Sequence, residues 1–209
     1  GRGFLLDFSP EINYHKHYIN RYAFLFNEYI GNKYVYLPEL SLRHTGQKTF
    51  QFDNSHKTIA LYLGGENKEF RKYPDEYAVQ LLRLLNRQGY NLLLIGDEND
   101  NIKHTQYAEE ARIDHLINLT ARTTIEGFIN TIANVDLIIT IDSSALHIAA
   151  AVKTPFIALM GLSTSPTSTI LPKVPLGRIL KIENNLIREE DYIRNITPDL
   201  ILKTISELI

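Results

Sequence analysis

Short apolar runs alternate with longer stretches of helical period along the chain from Thr58 onward. The runs are continuously apolar, as in strands that helices cover on both faces, and their alternation with helices indicates βαβ units. The predicted strands are 58–63, 91–95, 116–119, 135–141, 156–160 and 178–182. The predicted helices are 74–88, 101–112, 124–133 and 144–152. This pattern predicts an α/β fold with a Rossmann-like open parallel sheet in a three-layer α/β/α arrangement.

Three local signals support the predicted helix ends. Pro74 opens the first helix, where the missing N–H of proline costs nothing, and Gly89 follows its last turn. The segment Thr123-Thr-Ile-Glu126 has the spacing of a capping box, in which Thr123 caps the next-to-last helix and Glu126 returns the hydrogen bond.

The first 57 residues follow a different pattern. Residues 13–30 are rich in aromatic side chains at helical spacing, and Gly31 then begins a polar passage that ends at Lys57. A ligand cleft between two lobes needs a second sheet, and only residues 4–8 resemble a strand in this part of the chain. We therefore predict a connector over 1–57 and a Rossmann-like domain over 58–209.

Composition narrows the class of protein. The chain has 209 residues, is 44% hydrophobic and 22% charged, and carries a formal net charge of −2, which predicts a soluble globular protein. Its basic residues form no dense block, which argues against nucleic acid as a partner. The absence of cysteine excludes disulfides, thiolate nucleophiles and Cys-ligated zinc, so the cytoplasm is the expected location. The sequence shows neither a transmembrane segment nor a signal peptide.

The most informative segment is the junction between the fourth strand and its helix. Asp142, Ser143 and Ser144 open that helix, and His147 lies in its second turn. Unpaired backbone N–H groups and the positive end of the helix dipole favour an anion such as a phosphate at this position. The alternative is structural: Asp142 and Ser143 cap the helix, and His147 packs in the core.

Two further groups follow the first strand. Gly64 and Gly65 let the backbone approach a ligand closely, although paired glycines are also ordinary turn residues. Arg71 and Lys72 precede the first helix and suit phosphate oxygens, with solvated surface charge as the alternative.

Acidic side chains follow the second strand at Asp97, Glu98 and Asp100. Carboxylates at this position of a nucleotide-binding sheet accept hydrogen bonds from ribose hydroxyls, or they favour the start of a helix through its dipole. A third polar loop, 161–166, follows the fifth strand. Because carboxyl ends of parallel strands share one edge, these loops are predicted to lie together.

Taken in order, these motifs resemble the C-terminal domain of the glycosyltransferase family that includes the ADP-heptose:lipopolysaccharide heptosyltransferases. The matching segments are Phe70-Arg-Lys-Tyr-Pro74, Ile95-Gly-Asp97, Asn118-Leu-Thr-Ala-Arg-Thr-Thr-Ile-Glu126, Asp142-Ser-Ser-Ala-Leu-His-Ile-Ala-Ala150 and Pro155-Phe-Ile-Ala-Leu-Met-Gly-Leu-Ser163. The order and spacing match over about residues 58–182. The resemblance implies the C-terminal half of a GT-B fold, with 1–57 a connector and remnant of the interdomain region.

The resemblance also implies roles for individual residues. Asp142, Ser143, Ser144 and His147 surround the diphosphate of an ADP-sugar donor. Arg71 takes the position of a phosphate-binding lysine. Asp100 matches the acid that binds the ribose, and Thr123 lies near the adenine. The full set of predicted donor-binding residues is Gly64, Gly65, Arg71, Asp100, Thr123, Asp142, Ser143, Ser144 and His147, with no metal ligand.

This sequence departs from the family pattern at several positions. Ser144 replaces a glycine, and its side chain either crowds the diphosphate or supplies another hydroxyl donor. Tyr73 replaces a tryptophan, and Leu162-Ser163 replaces Pro-Thr. The family's candidate base is an aspartate in the N-terminal domain, and Asp7 is a poor match for it because a glycine-rich opening is missing. The catalytic base is therefore unassigned.

Three functions are compatible with the sequence. The leading hypothesis is a heptosyltransferase-like domain that binds an ADP-sugar and acts on a lipopolysaccharide-core acceptor, in the cytoplasm or at the inner-membrane surface, with no cofactor. The second is a non-catalytic nucleotide-binding module that needs or regulates a complete transferase, with a separate N-terminal domain or partner chain. The third is an unrelated flavodoxin-like or epimerase-like Rossmann domain.

Overall fold

The computed structural model describes residues 24–25, 27–31, 41–52, 55–64, 72–161, 172, 174–182 and 188–209. The chain divides into two compact units. One comprises residues 1–40 and 164–171, and its described residues are helical at 24–25 and 27–30. The other comprises 41–163 and 172–209 and contains the sheet. Among the described residues no helix is long and apolar enough to cross a membrane.

The described residues of the second unit form six strands and five α-helices. The strands are β1 (Thr58–Tyr62), β2 (Asn91–Leu94), β3 (Leu116–Asn118), β4 (Leu137–Ile141), β5 (Phe156–Leu159) and β6 (Gly177–Leu180). The helices are α1 (Asp75–Arg87), α2 (Asn101–Ala111), α3 (Ile125–Ala133), α4 (Ser144–Val152) and α5 (Pro198–Ile205). Short 3₁₀ helices cover Glu98–Asp100 and Glu189–Asn195.

All six strands are parallel, in the order β3-β2-β1-β4-β5-β6. The chain reverses its direction of travel across the sheet between β1 and β4, which is the point where open α/β sheets bind ligands. Helix α1 packs against α2 and α5, whereas α3 packs against α4. Because βαβ crossovers are right-handed in almost all proteins, this strand order puts α1 and α2 on one face and α3 and α4 on the other, which agrees with the packing pairs. The three-layer prediction is confirmed.

The central strands are buried because helices cover both of their faces. Every residue of β1, β4 and β5 is buried, while β3 and β6 at the two edges are partly exposed. The continuously apolar runs in the sequence therefore correspond to central strands of a parallel sheet. All six predicted strands and four predicted helices are present, with bounds that differ by at most two residues.

Two local predictions need correction. Strand β4 begins at Leu137 rather than at Val135, because the Asp136 carboxylate accepts a hydrogen bond from the Thr58 N–H (2.8 Å) at the entrance of the strand. The predicted capping box is wrong: Thr124, and not Thr123, caps α3.

The position of that cap follows from the local backbone. Thr124 is extended, and its hydroxyl accepts a hydrogen bond from the Gly127 N–H (3.1 Å). In a capping box the third residue after the cap returns a hydrogen bond through its side chain, and here that residue is Gly127, which has none. Glu126 lies exposed in the first turn. Thr123 lies outside the helix and is half-buried.

The start of α1 is fixed from within the core. Pro74 precedes the helix and Gly89 follows it with a φ of 82°, as the sequence predicted. Tyr73 is fully buried, and its hydroxyl donates to the Ile196 carbonyl (2.9 Å) just before α5. Burial is the main cause that raises the pKa of Tyr73, and the nearby Tyr77 and Asp199 raise it further. The hydroxyl therefore stays protonated and can donate. The tyrosine that stands here in place of the family's tryptophan therefore forms a buried hydrogen bond, which joins the segment before α1 to the segment before α5.

We expect Tyr73→Phe to lower the free energy of unfolding by about 1 to 3 kcal/mol, because the buried Ile196 carbonyl loses its donor. Urea denaturation followed by circular dichroism measures this loss. Tyr77→Phe, in the first turn of α1 and half-buried, is the matched control and should change stability by less. Equal effects from the two variants would contradict a role for the Tyr73 hydroxyl.

Candidate functional site

The carboxyl ends of β1 to β5 meet at one edge of the sheet, which we call the carboxyl edge. Tyr62 pairs with Thr140, and two residues later this register brings Gly64 level with Asp142. On the other side of β1, the Ala121 N–H donates to the Gly96 carbonyl (3.1 Å) and joins the turns after β2 and β3. The described parts of the predicted loops share this edge, whereas 65–71 and 162–166 lie outside the described residues.

The junction of β4 with α4 has the geometry of a capped helix start. Ser143 is the N-cap, and its hydroxyl oxygen accepts from the Ala145 N–H (3.2 Å). The Thr140 hydroxyl donates to the Ile141 carbonyl, and its oxygen lies 2.9 Å from the Ser143 hydroxyl. The Ser143 hydroxyl therefore donates its proton to the Thr140 oxygen. Ser143 caps α4, as the alternative interpretation of this junction as a helix cap predicted.

The other predicted residues of this junction remain partly open to solvent. Asp142 and His147 are half-buried, and Ser144, the first residue of α4, is exposed. Each of the three lies at the amino end of α4, where the remaining free N–H groups and the helix dipole favour negative charge. The arrangement can bind an anion, although its role in binding stays a prediction.

Asp100 is buried at the neighbouring part of the edge, with only 4% of its surface exposed. Its carboxylate accepts a hydrogen bond from the Asp97 N–H (3.2 Å), which closes the short 3₁₀ turn after β2. A Cβ on Gly64 would overlap this carboxylate, and a Cβ on Gly96 would come within 2.8 Å of it. The carboxylate thus occupies space that two glycines leave open, and Gly64 and Asp100 are in direct contact.

Tyr62 at the end of β1 also contacts Asp100. Burial raises the pKa of Tyr62, and the charges of Asp100 and Asp97 and a hydrogen bond to Asp100 raise it further. The hydroxyl therefore remains a proton donor to the carboxylate. Because Tyr62 belongs to β1 and Asp97 follows β2, Asp100 connects the ends of these two strands.

His104 lies one turn into α2 and is fully buried. Its Nδ1 lies 2.7 Å from the Thr120 hydroxyl after β3, and its Cε1 is beside Gly96. Burial lowers the pKa of His104 to about 4, against a smaller opposing effect of the Asp97 charge. The imidazole is therefore neutral at neutral pH and connects α2 to the turn after β3.

Several predicted positions lie outside the described residues. They are Gly65, Arg71, Asp7 and the Leu162-Ser163 pair. Lys72, next to Arg71, is half-buried. Thr123 follows β3 at the same edge as Asp100.

Three residues of the edge were not predicted from the sequence: Tyr62, His104 and Thr120. A signal for His104 was present, since His104, Tyr107 and Ala111 are the buried residues of α2 and follow helical spacing. A polar residue within such a buried stripe needs a partner. The partner, Thr120, is in a different element and could not be identified from the periodicity.

The described residues also bear on metal binding and on a second cleft. In the described part of the chain, no group of three or more His, Cys, Asp or Glu residues has metal-binding geometry. A cleft of about 320 Å³ lies at the amino ends of β1 and β4, with Lys48, Phe50, Lys57 and Asp136 among its lining residues. It is at the opposite edge of the sheet and is separate from the predicted donor site.

A family model described as "Glycosyltransferase family 9 (heptosyltransferase)" matches residues 4–190. The chain belongs to this family. The resemblance predicted from the motifs is confirmed, and the family's fold agrees with the six-stranded parallel sheet observed here.

Individual relatives agree with this assignment. Lipooligosaccharide heptosyltransferase 2 of Haemophilus influenzae is 31% identical over 163 residues, which cover 72% of this chain and 47% of the relative. A glycosyl transferase family 9 structure from Veillonella parvula superposes with a TM-score of 0.79 at 17% identity, covering 95% of this chain and 62% of that one. The Escherichia coli heptosyltransferase WaaC, solved with ADP, gives a TM-score of 0.71 at 15% identity, with coverages of 99% and 61%.

The chain spans about half the length of the curated relatives it matches. Family membership and the Rossmann-like sheet of a GT-B glycosyltransferase are therefore established for this chain. The roles of its individual edge residues follow from neither and stay predictions.

We expect the stability of the protein to fall as the pH is lowered from 6.5 to 4, because His104 accepts a proton more readily in the unfolded chain, where its pKa is about 6.5, than in the fold, where it is about 4. The unfolded state binds more protons in this window, so the free energy of unfolding rises with pH and levels off above it. The His104 contribution is about 2 kcal/mol smaller at pH 5 than at pH 7.5. Urea denaturation at the two pH values measures the difference.

His104→Leu is the control for this prediction, since carboxylates also titrate below pH 6.5. The variant is less stable overall, but its loss between pH 7.5 and pH 5 should be smaller than that of the wild type. Identical losses in the two proteins would show that His104 does not titrate as the structure implies.

Proposed function

We propose that this chain is the donor-binding part of a heptosyltransferase that transfers a sugar from an ADP-sugar to a lipopolysaccharide-core-like acceptor. The observation that carries the proposal is the carboxyl edge, where the start of α4 meets Gly64 at the β1/β4 switch point. Relatives solved with ADP and with an ADP-heptose analogue support adenosine diphosphate as the carrier.

The diphosphate would bind at the amino end of α4. The first N–H groups of a helix have no intrahelical acceptor, and the dipole of a nine-residue helix favours an anion. His147 and Ser144 supply side-chain donors, and Arg71 supplies a guanidinium suited to phosphate oxygens. Asp142 carries negative charge, so we assign it to a hydroxyl group of the ADP-sugar, at the edge of the diphosphate site. These groups neutralise the phosphates without a metal ion.

The nucleoside would extend from α4 toward β3. Adjacent strands are about 4.8 Å apart, so the ends of β4 and β3, separated by β1 and β2, are about 14 Å apart. This span suits an extended nucleoside diphosphate, with the ribose near Asp100 and the base near Thr123. We assign the ribose hydroxyls to the Asp100 carboxylate, which also accepts from the Asp97 N–H and the Tyr62 hydroxyl.

The chemistry of this half is stabilisation of the leaving group. Displacement at the anomeric carbon breaks the bond to the diphosphate, and negative charge develops on its oxygen. In this proposal the helix N–H groups, Arg71 and His147 stabilise that charge. The base that removes the acceptor proton is not assigned to this chain. We further propose that the acceptor is attached to lipid, and that the protein therefore acts at the cytoplasmic surface of the inner membrane.

We expect the chain to bind ADP more tightly than UDP or GDP, and His147→Ala to weaken ADP binding by roughly tenfold or more. The reason is that a charge-assisted hydrogen bond to phosphate contributes about 1.5 to 3 kcal/mol. Isothermal titration calorimetry measures the affinities, and the shift of melting temperature with each nucleotide gives an independent ranking. His147 is half-buried, so its loss should leave the melting temperature of the free protein nearly unchanged.

His115→Ala provides the matched control, because His115 is exposed just before β3 at the opposite edge of the sheet. It should leave the affinity for ADP unchanged. An unaltered affinity in His147→Ala, or a collapse of its stability, would instead support a packed core histidine. Incubation with an ADP-sugar and a lipid A-core acceptor then separates the two transferase hypotheses, since binding without transfer supports the non-catalytic module.

A further inference from the structure

A fully buried histidine with an unused ring nitrogen needs a structural reason. His104 is inaccessible to solvent, and among the described residues its Nε2 has no hydrogen-bond partner. The tautomer with the proton on Nδ1 costs least, because a buried unpaired N–H is less tolerable than an unpaired acceptor. In that tautomer Nδ1 donates to the Thr120 hydroxyl, which is the only side chain that the described residues bring to this ring as a hydrogen-bond partner.

Thr120 belongs to a tight turn after β3, which we call the base-side turn and define as residues 119–123. The Thr120 N–H donates to the Asn118 side chain (3.0 Å), and the Arg122 N–H donates to the Leu119 carbonyl (3.0 Å). Between them, Ala121 has a φ of 59°, in the left-handed region. This conformation is unfavourable for a residue with a Cβ, so surrounding contacts must hold the turn.

The contacts that hold the turn come from the loop after β2 and from α2. The Ala121 N–H donates to the Gly96 carbonyl, and the His104 ring is hydrogen-bonded to the Thr120 hydroxyl. Gly96 also borders the Asp100 carboxylate and His104. The base-side turn and the ribose position of the proposed function therefore share one buried polar network.

This network lies at the opposite end of the carboxyl edge from α4. In the strand order β3-β2-β1-β4, the base-side turn follows β3, and the proposed diphosphate site follows β4. Loosening the turn should therefore affect the base of a bound nucleotide and leave a bound pyrophosphate unaffected.

We propose that His104 and Thr120 are positioning residues for the nucleobase, and that their hydrogen bond holds the base-side turn in the strained shape that receives it. This inference rests on the proposed function, since it requires a nucleotide at the carboxyl edge. Neither residue contacts the nucleotide: both act through the backbone of the turn and through Thr123 at its end.

The test compares ADP with inorganic pyrophosphate as ligands of the whole chain. Thr120→Val keeps the size of the side chain and removes its hydroxyl, whereas Thr120→Ser keeps the hydroxyl. We expect Thr120→Val to weaken ADP binding about fivefold and to leave the affinity for pyrophosphate unchanged. Thr120→Ser should restore the affinity for ADP. Calorimetry measures ADP, and displacement of ADP measures pyrophosphate.

Two comparisons complete the test. His147→Ala, at the diphosphate end, should weaken both ligands. His104→Leu should weaken ADP about as much as Thr120→Val, and the double variant should lose little more, because both changes remove one interaction.

The outcomes separate this inference from the proposed function. Equal losses of ADP and pyrophosphate affinity in Thr120→Val, or an unchanged affinity for ADP, would overturn the positioning role while the wild-type chain still binds ADP. Failure of Thr120→Ser to restore binding would do the same. A wild-type chain that does not bind ADP would overturn the proposed function and, with it, this inference.

Discussion

A carboxylate enclosed by protein must have hydrogen-bond donors close to it, and Asp100 imposes this requirement on the carboxyl edge. Its donors come from the end of β1, through Tyr62, and from the loop after β2, through the Asp97 N–H. The carboxylate fits there because Gly64 and Gly96 have no side chains. The ends of two strands are thus held at fixed distances by a single charged group, since losing either donor would leave buried charge poorly compensated.

The same edge combines a rigid end with an open end. Around Asp100 and His104 the polar groups are buried and mostly paired, whereas Ser144, Asp142 and His147 at α4 are partly exposed. Such a division suits a ligand with two chemically different parts. A base and ribose need shaped contacts, and a diphosphate mainly needs N–H groups and positive charge.

The sheet could be predicted from the sequence because its central strands are buried on both faces and therefore continuously apolar. The junction of β4 and α4 could be predicted because strand, cap and helix are adjacent in the chain. By contrast, the partnership of His104 with Thr120 joins residues 16 positions apart in different elements. Such contacts depend on how elements pack, and local patterns carry no information about them. The misplaced cap at α3 has a local cause: two adjacent threonines are equally good candidates, and only the backbone conformation distinguishes Thr124 from Thr123.

The segment 41–52, which precedes the sheet, is attached to two helices. The Leu42 N–H donates to the Ala151 carbonyl at the end of α4, and Thr45 exchanges two hydrogen bonds with the buried Asn130 amide of α3. A recombinant version that begins at Thr58, where the first strand starts, would leave the buried Asn130 amide without the acceptor and the donor that Thr45 supplies. Anyone cutting this protein down for crystallisation or spectroscopy should place the first residue ahead of Ser41.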